Sequence, residues 1–193
     1  MAFELYRQIV HLSGLVFVIL AQFVRKEIVI AYFSLIALSF FVYSWYVRSQ
    51  EKKLENLLGR MESKFRNFTL KFERKNVNPF SGAFFFYAGC ALAFLFFPLN
   101  IASAACAMLA VGDSFSTLAG KKFGRHKIGG KTLEGSLACF LSSFVAGIFF
   151  VSPVISIIGA FAAAASELLI PKLDDNITMP IVSGLVMFLA SFV

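Results

Sequence analysis

Apolar and polar positions occur in long blocks along this chain, and seven mostly apolar stretches are separated by short polar breaks. A helix needs about 20 apolar residues to cross the hydrocarbon core of a bilayer, with a range of about 17–25. The pattern therefore predicts an all-α, polytopic integral membrane protein that forms a single membrane domain over residues 1–193. Its seven predicted transmembrane helices are 9–24, 28–47, 79–97, 101–119, 133–151, 153–170 and 179–193.

Composition supports a membrane protein over a soluble one. Hydrophobic residues make up 59% of the chain, which includes 25 Phe, whereas soluble domains average about 45–50% apolar residues. A single soluble core cannot bury that many side chains. The three cysteines, Cys90, Cys106 and Cys139, lie inside apolar runs without the spacing of a metal site, so we interpret them as buried apolar residues.

The basic segment 48–78 has a different pattern. Apolar residues recur there at spacings of three and four, which predicts an amphipathic cytoplasmic helix after the second span. Such a helix either guides lipid or nucleotide along the bilayer surface or simply anchors the second span, and we favour anchoring. The apolar stripe consists of Leu54, Leu57, Leu58, Met61, Phe65 and Phe68.

Charge predicts the orientation in the membrane. The net charge is +7, with nine Lys or Arg against four Glu in residues 48–75, and five Lys or Arg without an acid in residues 121–131. Seven spans place both segments on one side, and excess Lys and Arg mark the cytoplasmic side. We therefore expect a cytoplasmic N-terminus and active site and an external C-terminus. Basic segments between spans suit lipid headgroups or a phosphorylated ligand better than nucleic acid.

Asp113 is the most unusual residue of the predicted fourth span. A carboxylate at the centre of a membrane helix costs about 2.5–3.5 kcal/mol on insertion scales, so such residues are functional candidates. The alternative is an aspartate satisfied by serine or lysine neighbours near the interface.

A glycine-rich basic loop follows, within the region 112–136, where we predict binding of nucleotide phosphate. Glycines allow backbone N–H groups to approach a phosphate, and Thr132 is a predicted N-cap of the next helix, whose N-terminus also favours anions. The alternative is an ordinary basic loop of a membrane protein. A Walker A loop is excluded, because Arg125 stands where its first glycine should be. The four loop glycines are Gly120, Gly124, Gly129 and Gly130.

Several carboxylates are candidate ligands for Mg²⁺, which binds one or two carboxylates together with phosphate oxygens. Glu167 lies in an otherwise apolar helix, whereas Asp174 and Asp175 have loop solvation as an alternative. Near the N-terminus, Arg7 and His11 share one helix face. We interpret Arg7 as a phosphate clamp or a topology signal. His11 either orients the phosphate or deprotonates a hydroxyl, or it is a packing histidine, which we favour. The predicted metal ligands are Asp113, Glu134, Glu167, Asp174 and Asp175.

These motifs resemble the CTP-dependent lipid kinase family, which includes dolichol kinase, phytol kinase and CTP-dependent diacylglycerol kinase. The hallmark resembles Gly112-Asp113, Gly120, residues 123–128 and residues 131–136. Weaker similarity extends over most of the chain, and Gln8 departs from the family, which often has Lys beside the N-terminal Arg. The weaker matches are Glu4, Arg7, His11, Tyr87, Gly89, Phe97, Pro98, Glu167, Asp174, Asp175, Asn176, Pro180 and Gly184.

The resemblance implies transfer of the CTP γ-phosphate to the hydroxyl of a membrane lipid, a polyprenol or other isoprenoid alcohol or diacylglycerol, with Mg²⁺ as cofactor. A CDP-lipid synthase and a transporter are the alternatives. The acceptor lipid is open, and a homo-oligomer is compatible with the sequence. The implied catalytic residues are Asp113, Lys131, Glu134 and Arg7. The implied nucleotide-binding residues are Gly112, Ser116, Gly120, Gly124, Arg125, His126, Lys127, Gly129, Gly130, Thr132 and Gly135.

Overall fold

A computed structural model describes residues 2–49, 80–170 and 173–193, and within the first stretch it describes the side chains of residues 8 and 11–46. The basic segment 48–78 therefore lies almost wholly outside the described residues, and the prediction of an amphipathic helix there stays a prediction. In the described part the chain is mostly helical, which confirms the predicted class. The helices are α1 (Ala2–Leu20, continued by a 3₁₀ turn at Ala21–Phe23), α2 (Lys26–Ser49), α3 (Ser81–Phe96), α4 (Leu99–Met108), α5 (Ser114–Phe123), α6 (Leu133–Gly147), α7 (Pro153–Leu169) and α8 (Asp175–Ala190).

The helix lengths confirm the prediction of seven spans only in part. Among the described residues, two helical segments, Lys26–Tyr46 and Leu99–Phe123, are long and apolar enough to cross a membrane. The second of these consists of α4, a π-helical segment at Leu109–Asp113 and α5. The five other apolar helices have 10–17 residues, at or below the short end of the spanning range.

Side-chain caps and prolines fix where the later helices begin. The Ser152 Oγ accepts a 3.4 Å hydrogen bond from the Ile155 N–H, and Pro153 occupies the first turn of α7, where its missing N–H is not needed. Thr132 Oγ1 accepts a 3.1 Å bond from the Gly135 N–H, so the predicted N-cap of α6 is confirmed. These caps satisfy donors that the first helical turn would otherwise leave unpaired.

Helix α4 is the centre of the bundle, and it is buried from Ile101 to Met108. It packs against α1, α3, α6, α7 and α8. Most of its buried side chains are alanine, cysteine or serine, and small residues let neighbouring helices approach closely. The large apolar side chains that remain exposed lie on the outer faces, as at Leu35 of α2 and Phe161 of α7.

A short β-hairpin interrupts the helical pattern inside the predicted basic loop. Strand β1 (Lys127–Ile128) pairs antiparallel with β2 (Lys131–Thr132). Gly129 at the turn has a φ of 59°, a backbone conformation that glycine adopts without steric cost. The hairpin leads directly into α6, so the second strand delivers Lys131 to the N-terminal end of that helix.

Candidate functional site

The candidate site begins at the π-helical segment between α4 and α5. Asp113 is the last residue of this segment, and its side chain is buried. A β-carbon on the preceding Gly112 would clash with the Ser143 hydroxyl of α6, so glycine permits the close packing that holds this turn in place. A π-helical turn widens the backbone spiral and is found frequently at functional sites.

Three carboxylates from three separate elements converge on this point. Asp113, Glu167 of α7 and Asp175 of α8 each offer an oxygen, and these atoms lie within 4.8 Å of one another. Asp113 is 5% exposed and Glu167 only 1%. We call these three residues the carboxylate cluster. It unites three of the five predicted metal ligands.

Lys131 joins the cluster to the glycine-rich loop. Its Nζ donates a 2.7 Å bond to Glu167 Oε1 and another of 2.7 Å to Asp175 Oδ2. Ser116 Oγ donates to the same Glu167 oxygen at 2.7 Å. Burial of the ammonium alone would lower the pKa of Lys131, but the two carboxylates raise it more, so this pKa lies above its usual range. Lys131 is therefore a cation at neutral pH.

The donor set fits a divalent cation. Within the described part of the chain, Asp113 Oδ1 and Glu167 Oε2 are buried without a hydrogen-bond partner. Three mostly buried carboxylates share a single ammonium, an arrangement that is costly unless a further cation compensates their negative charge. Oxygen ligands of this kind are those that Mg²⁺ prefers.

His11 of α1 contacts Asp113, the member of the cluster that Lys131 does not bond. Its Nε2 lies 3.8 Å from Asp113 Oδ2, and its ring meets Phe86 edge-on with centroids 4.7 Å apart. The sequence favoured a packing histidine over a functional one, and the structure shows both the packing against Phe86 and the contact with the carboxylate. Arg7 belongs to the same helix, but its side chain lies outside the described part, so its predicted role in phosphate binding stays a prediction.

The structure does not bring Glu134 and Asp174, the other two predicted metal ligands, into the carboxylate cluster. Glu134 Oε1 lies 2.7 Å from His126 Nδ1, and the same carboxylate accepts from the His126 N–H at 3.2 Å. Asp174 Oδ1 accepts from the Asn176 N–H at 3.0 Å and caps α8. Glu134 thus links the loop to the start of α6 by hydrogen bonds, and Asp174 caps the helix whose first residue is Asp175.

The sequence predicted that the glycines of the loop bind phosphate through their backbone N–H groups. In the structure, some of these glycines have a packing role instead. The Gly124 N–H donates to the Gly120 oxygen at 3.1 Å, and the Gly135 N–H is the donor that Thr132 accepts. These two N–H groups therefore have internal acceptors in place of the predicted phosphate. The exposed residues of the loop lie in the hairpin and the turn before it, and they are Arg125, His126, Lys127, Gly129 and Gly130.

Replacing Gly124 with alanine is expected to lower the free energy of unfolding by about 1–3 kcal/mol, because the new β-carbon would overlap the Gly120 oxygen and the Thr132 side chain. Thermal unfolding in detergent measures this. Gly130→Ala is the matched control, since its β-carbon meets no atom within 4 Å, and its unfolding temperature should stay near that of the parent. Equal stability of the two variants would contradict the packing role of Gly124.

Comparisons of this chain with protein-family models, curated proteins and solved structures found no match. The geometry of the site itself indicates what kind of ligand the site suits. That geometry combines a buried carboxylate cluster with excess negative charge, a lysine that bridges two of its members, and an exposed basic hairpin attached to that lysine. Together these groups suit a metal-bound polyphosphate. The carboxylates would hold its cation, and the basic hairpin would attract its phosphates.

Proposed function

We propose that this protein is a lipid kinase of the bilayer, which transfers the γ-phosphate of CTP to the hydroxyl of a membrane lipid with Mg²⁺ as cofactor. One observation supports the proposal most strongly. Lys131 of the glycine-rich loop lies 2.7 Å from both Glu167 and Asp175, so the predicted phosphate-binding loop and the predicted metal ligands meet in one site. The preference for CTP follows from the resemblance to the CTP-dependent lipid kinases.

The proposed membrane placement has seven spans, with the N-terminus and the site in the cytoplasm and the C-terminus outside. The exposed apolar side chains on the outer helix faces support it, because soluble proteins rarely expose large contiguous apolar patches. Helices of 15–17 residues, such as α6 and α7, span a bilayer when it thins locally or when flanking residues reach the interface.

Phosphoryl transfer depends mainly on positioning and charge neutralisation, since the transition state is largely dissociative. Asp113, Glu167 and Asp175 would hold Mg²⁺, which when bound neutralises charge on the transferred group. Lys131 stays protonated and stabilises the phosphate oxygens. The lipid oxygen bonds to the γ-phosphorus as the bond from that phosphorus to the bridging oxygen breaks, and CDP leaves.

The hydroxyl proton of the lipid passes to Asp113 in this scheme. Oδ2 accepts the proton, while Oδ1, which is buried without a hydrogen-bond partner in the described residues, would be the oxygen that holds Mg²⁺. His11 positions the Oδ2 oxygen of the same carboxylate. Arg125 in the turn before the hairpin and Lys127 in its first strand are exposed and attract the nucleotide phosphates from solution.

The test is a transfer assay in phosphatidylcholine liposomes with γ-labelled CTP, γ-labelled ATP and a panel of isoprenoid alcohols and diacylglycerol. Label in a lipid together with release of CDP is the expected result, and it identifies the acceptor. Pyrophosphate release from CTP on addition of phosphatidic acid, with label in none of the alcohols, would replace the kinase with a CDP-lipid synthase.

A further inference from the structure

The hydroxyl of Ser116 reaches the carboxylate cluster from α5. Ser116 Oγ donates a 2.7 Å hydrogen bond to Glu167 Oε1 of α7. Ser116 is 4% exposed, so this bond is formed away from solvent. The family resemblance implies a nucleotide-binding role for Ser116, and the hydrogen bond gives its hydroxyl a partner among the predicted metal ligands.

The local sequence places Ser116 on the same helix face as Asp113. Asp113 ends the π-helical segment, and Ser116 follows three residues later in the first turn of α5. Residues three apart on a helix are neighbours on its surface. One face of this element therefore presents both a member of the carboxylate cluster and a donor to another member, Glu167.

Close packing of α6 leaves little free space around Ser116. A β-carbon on Gly135 would lie 3.0 Å from the Ser116 carbonyl oxygen and 3.3 Å from its hydroxyl oxygen. The Gly135 N–H donates to the Thr132 N-cap, which fixes this glycine at the start of α6. Glycine at position 135 thus lets α6 pack directly against Ser116, where any larger residue would crowd it.

The two carboxylate oxygens of Glu167 have different surroundings. Oε1 accepts from Ser116 Oγ and from Lys131 Nζ, each at 2.7 Å. Oε2 is buried without a hydrogen-bond partner in the described residues, as is Asp113 Oδ1. Two donors on one oxygen fix the orientation of the carboxylate, and with it the direction of the unpartnered oxygen. Buried oxygens of this kind are costly unless a cation compensates them.

We infer that Ser116 is a positioning residue for the divalent metal, whose hydroxyl holds Glu167 Oε1 so that Glu167 Oε2 is directed toward the cation. This role rests on the proposed metal-dependent function and adds how one ligand of the metal is oriented. Lys131 bonds the same oxygen, but it is charged and also bonds Asp175. The hydroxyl of Ser116 is therefore the donor that can be removed without changing the charge of the site.

Removal of this hydroxyl should weaken metal binding without unfolding the protein. Loss of a hydrogen bond that orients a metal ligand usually lowers metal affinity about 10–100-fold. In a Mn²⁺ titration in detergent without nucleotide, followed by electron paramagnetic resonance, we expect Ser116→Ala to bind Mn²⁺ about tenfold more weakly than the parent. Ser116→Thr retains a hydroxyl and should bind Mn²⁺ nearly as tightly as the parent.

Ser183→Ala is the matched control. The Ser183 hydroxyl is also buried and also donates at 2.7 Å, but its acceptor is the Met179 carbonyl within α8. This variant should bind Mn²⁺ as tightly as the parent. Because each alanine variant loses one buried hydrogen bond, the two should have similar unfolding temperatures when divalent cations are absent.

The rate of phosphate transfer supplies a second readout. At limiting Mg²⁺ we expect Ser116→Ala to transfer phosphate about tenfold more slowly than the parent. Excess Mg²⁺ should restore most of this rate, because every carboxylate of the cluster is still present. In Asp113→Asn the loss should persist at all concentrations of Mg²⁺, since a member of the cluster has been removed.

The outcomes distinguish this role of Ser116 from the proposed function. An unchanged Mn²⁺ affinity in Ser116→Ala, or an equal loss in Ser183→Ala or in Ser116→Thr, would overturn the role of Ser116, while transfer of phosphate by the parent would leave the kinase intact. A tenfold loss confined to Ser116→Ala, in a protein that transfers phosphate from no nucleotide, would retain the role of Ser116 in metal binding and overturn the kinase.

Discussion

Replacing Asp113 with asparagine is expected to reduce the rate of phosphate transfer at least about a hundredfold while the protein stays folded. The substitution removes charge with little change in volume. Asp113 is 5% exposed and has an unpartnered oxygen within the described part of the chain. It also faces the carboxylates of Glu167 and Asp175 within 4.8 Å, so neutralising it relieves repulsion between like charges.

The Asp113→Asn variant should therefore lose activity and keep or gain stability. A loss of activity without a loss of stability distinguishes a functional carboxylate from a structural one, because replacing a structural carboxylate lowers both activity and stability. The rate is measured with labelled CTP in liposomes, and stability is measured as the unfolding temperature in detergent without divalent cations.

Asp174→Asn is the matched control for this experiment. It changes the net charge equally, but Asp174 is the N-cap of α8, and asparagine is as good an N-cap as aspartate. We expect its transfer rate to stay close to that of the parent. Equal losses in the two variants would show that net charge alone controls the rate. An active Asp113→Asn variant would remove Asp113 from the site.

Replacing Lys131 with methionine is expected to lower the free energy of unfolding by about 2–3 kcal/mol in the presence of a chelator. Breaking a buried ion pair costs about 3–5 kcal/mol, and the cost here is smaller because 25% of the Lys131 side chain is exposed. The loss leaves Glu167 and Asp175 without their shared cation. Methionine retains most of the apolar stem, so charge is the main difference.

A divalent cation should restore much of this stability. Mg²⁺ in the cluster would compensate the charges that Lys131 leaves unpaired, so the unfolding temperature of Lys131→Met should rise more with Mg²⁺ than that of the parent. Lys127→Met is the stability control, because Lys127 is exposed on the same hairpin. A Lys131→Met variant as stable as Lys127→Met, or one that gains no more from Mg²⁺ than the parent, would contradict this description of the cluster.

Sequence alone predicted the helices well, because long apolar blocks leave few alternatives to helices that satisfy their own backbone hydrogen bonds. It also singled out Asp113 and Glu167 correctly as members of a polar site, since a carboxylate among apolar residues is costly wherever it has no partner. The π-helical turn before Asp113 was not predictable, because it depends on how Gly112 packs against α6.

The composition of the cluster was harder to predict, because neighbours along the chain are not neighbours in space. Glu134 and Asp174 were equally good candidate ligands by residue type, but one binds the loop and the other caps a helix. The contacts of Lys131 join residues 36 and 44 positions apart. The helical spacing of Arg7 and His11 hinted at a polar face, but only the packing of α1 brings His11 to Asp113.

A Mn²⁺ titration of the purified protein in detergent, followed by electron paramagnetic resonance, tests whether the carboxylate cluster binds a divalent metal. Mn²⁺ accepts the same oxygen ligands as Mg²⁺. We expect saturable Mn²⁺ binding by the parent and by Asp174→Asn, and its loss in Asp113→Asn and Glu167→Gln. A parent protein that binds no Mn²⁺, or an Asp113→Asn variant that binds it as tightly as the parent, would contradict the assignment of the carboxylate cluster as the metal site.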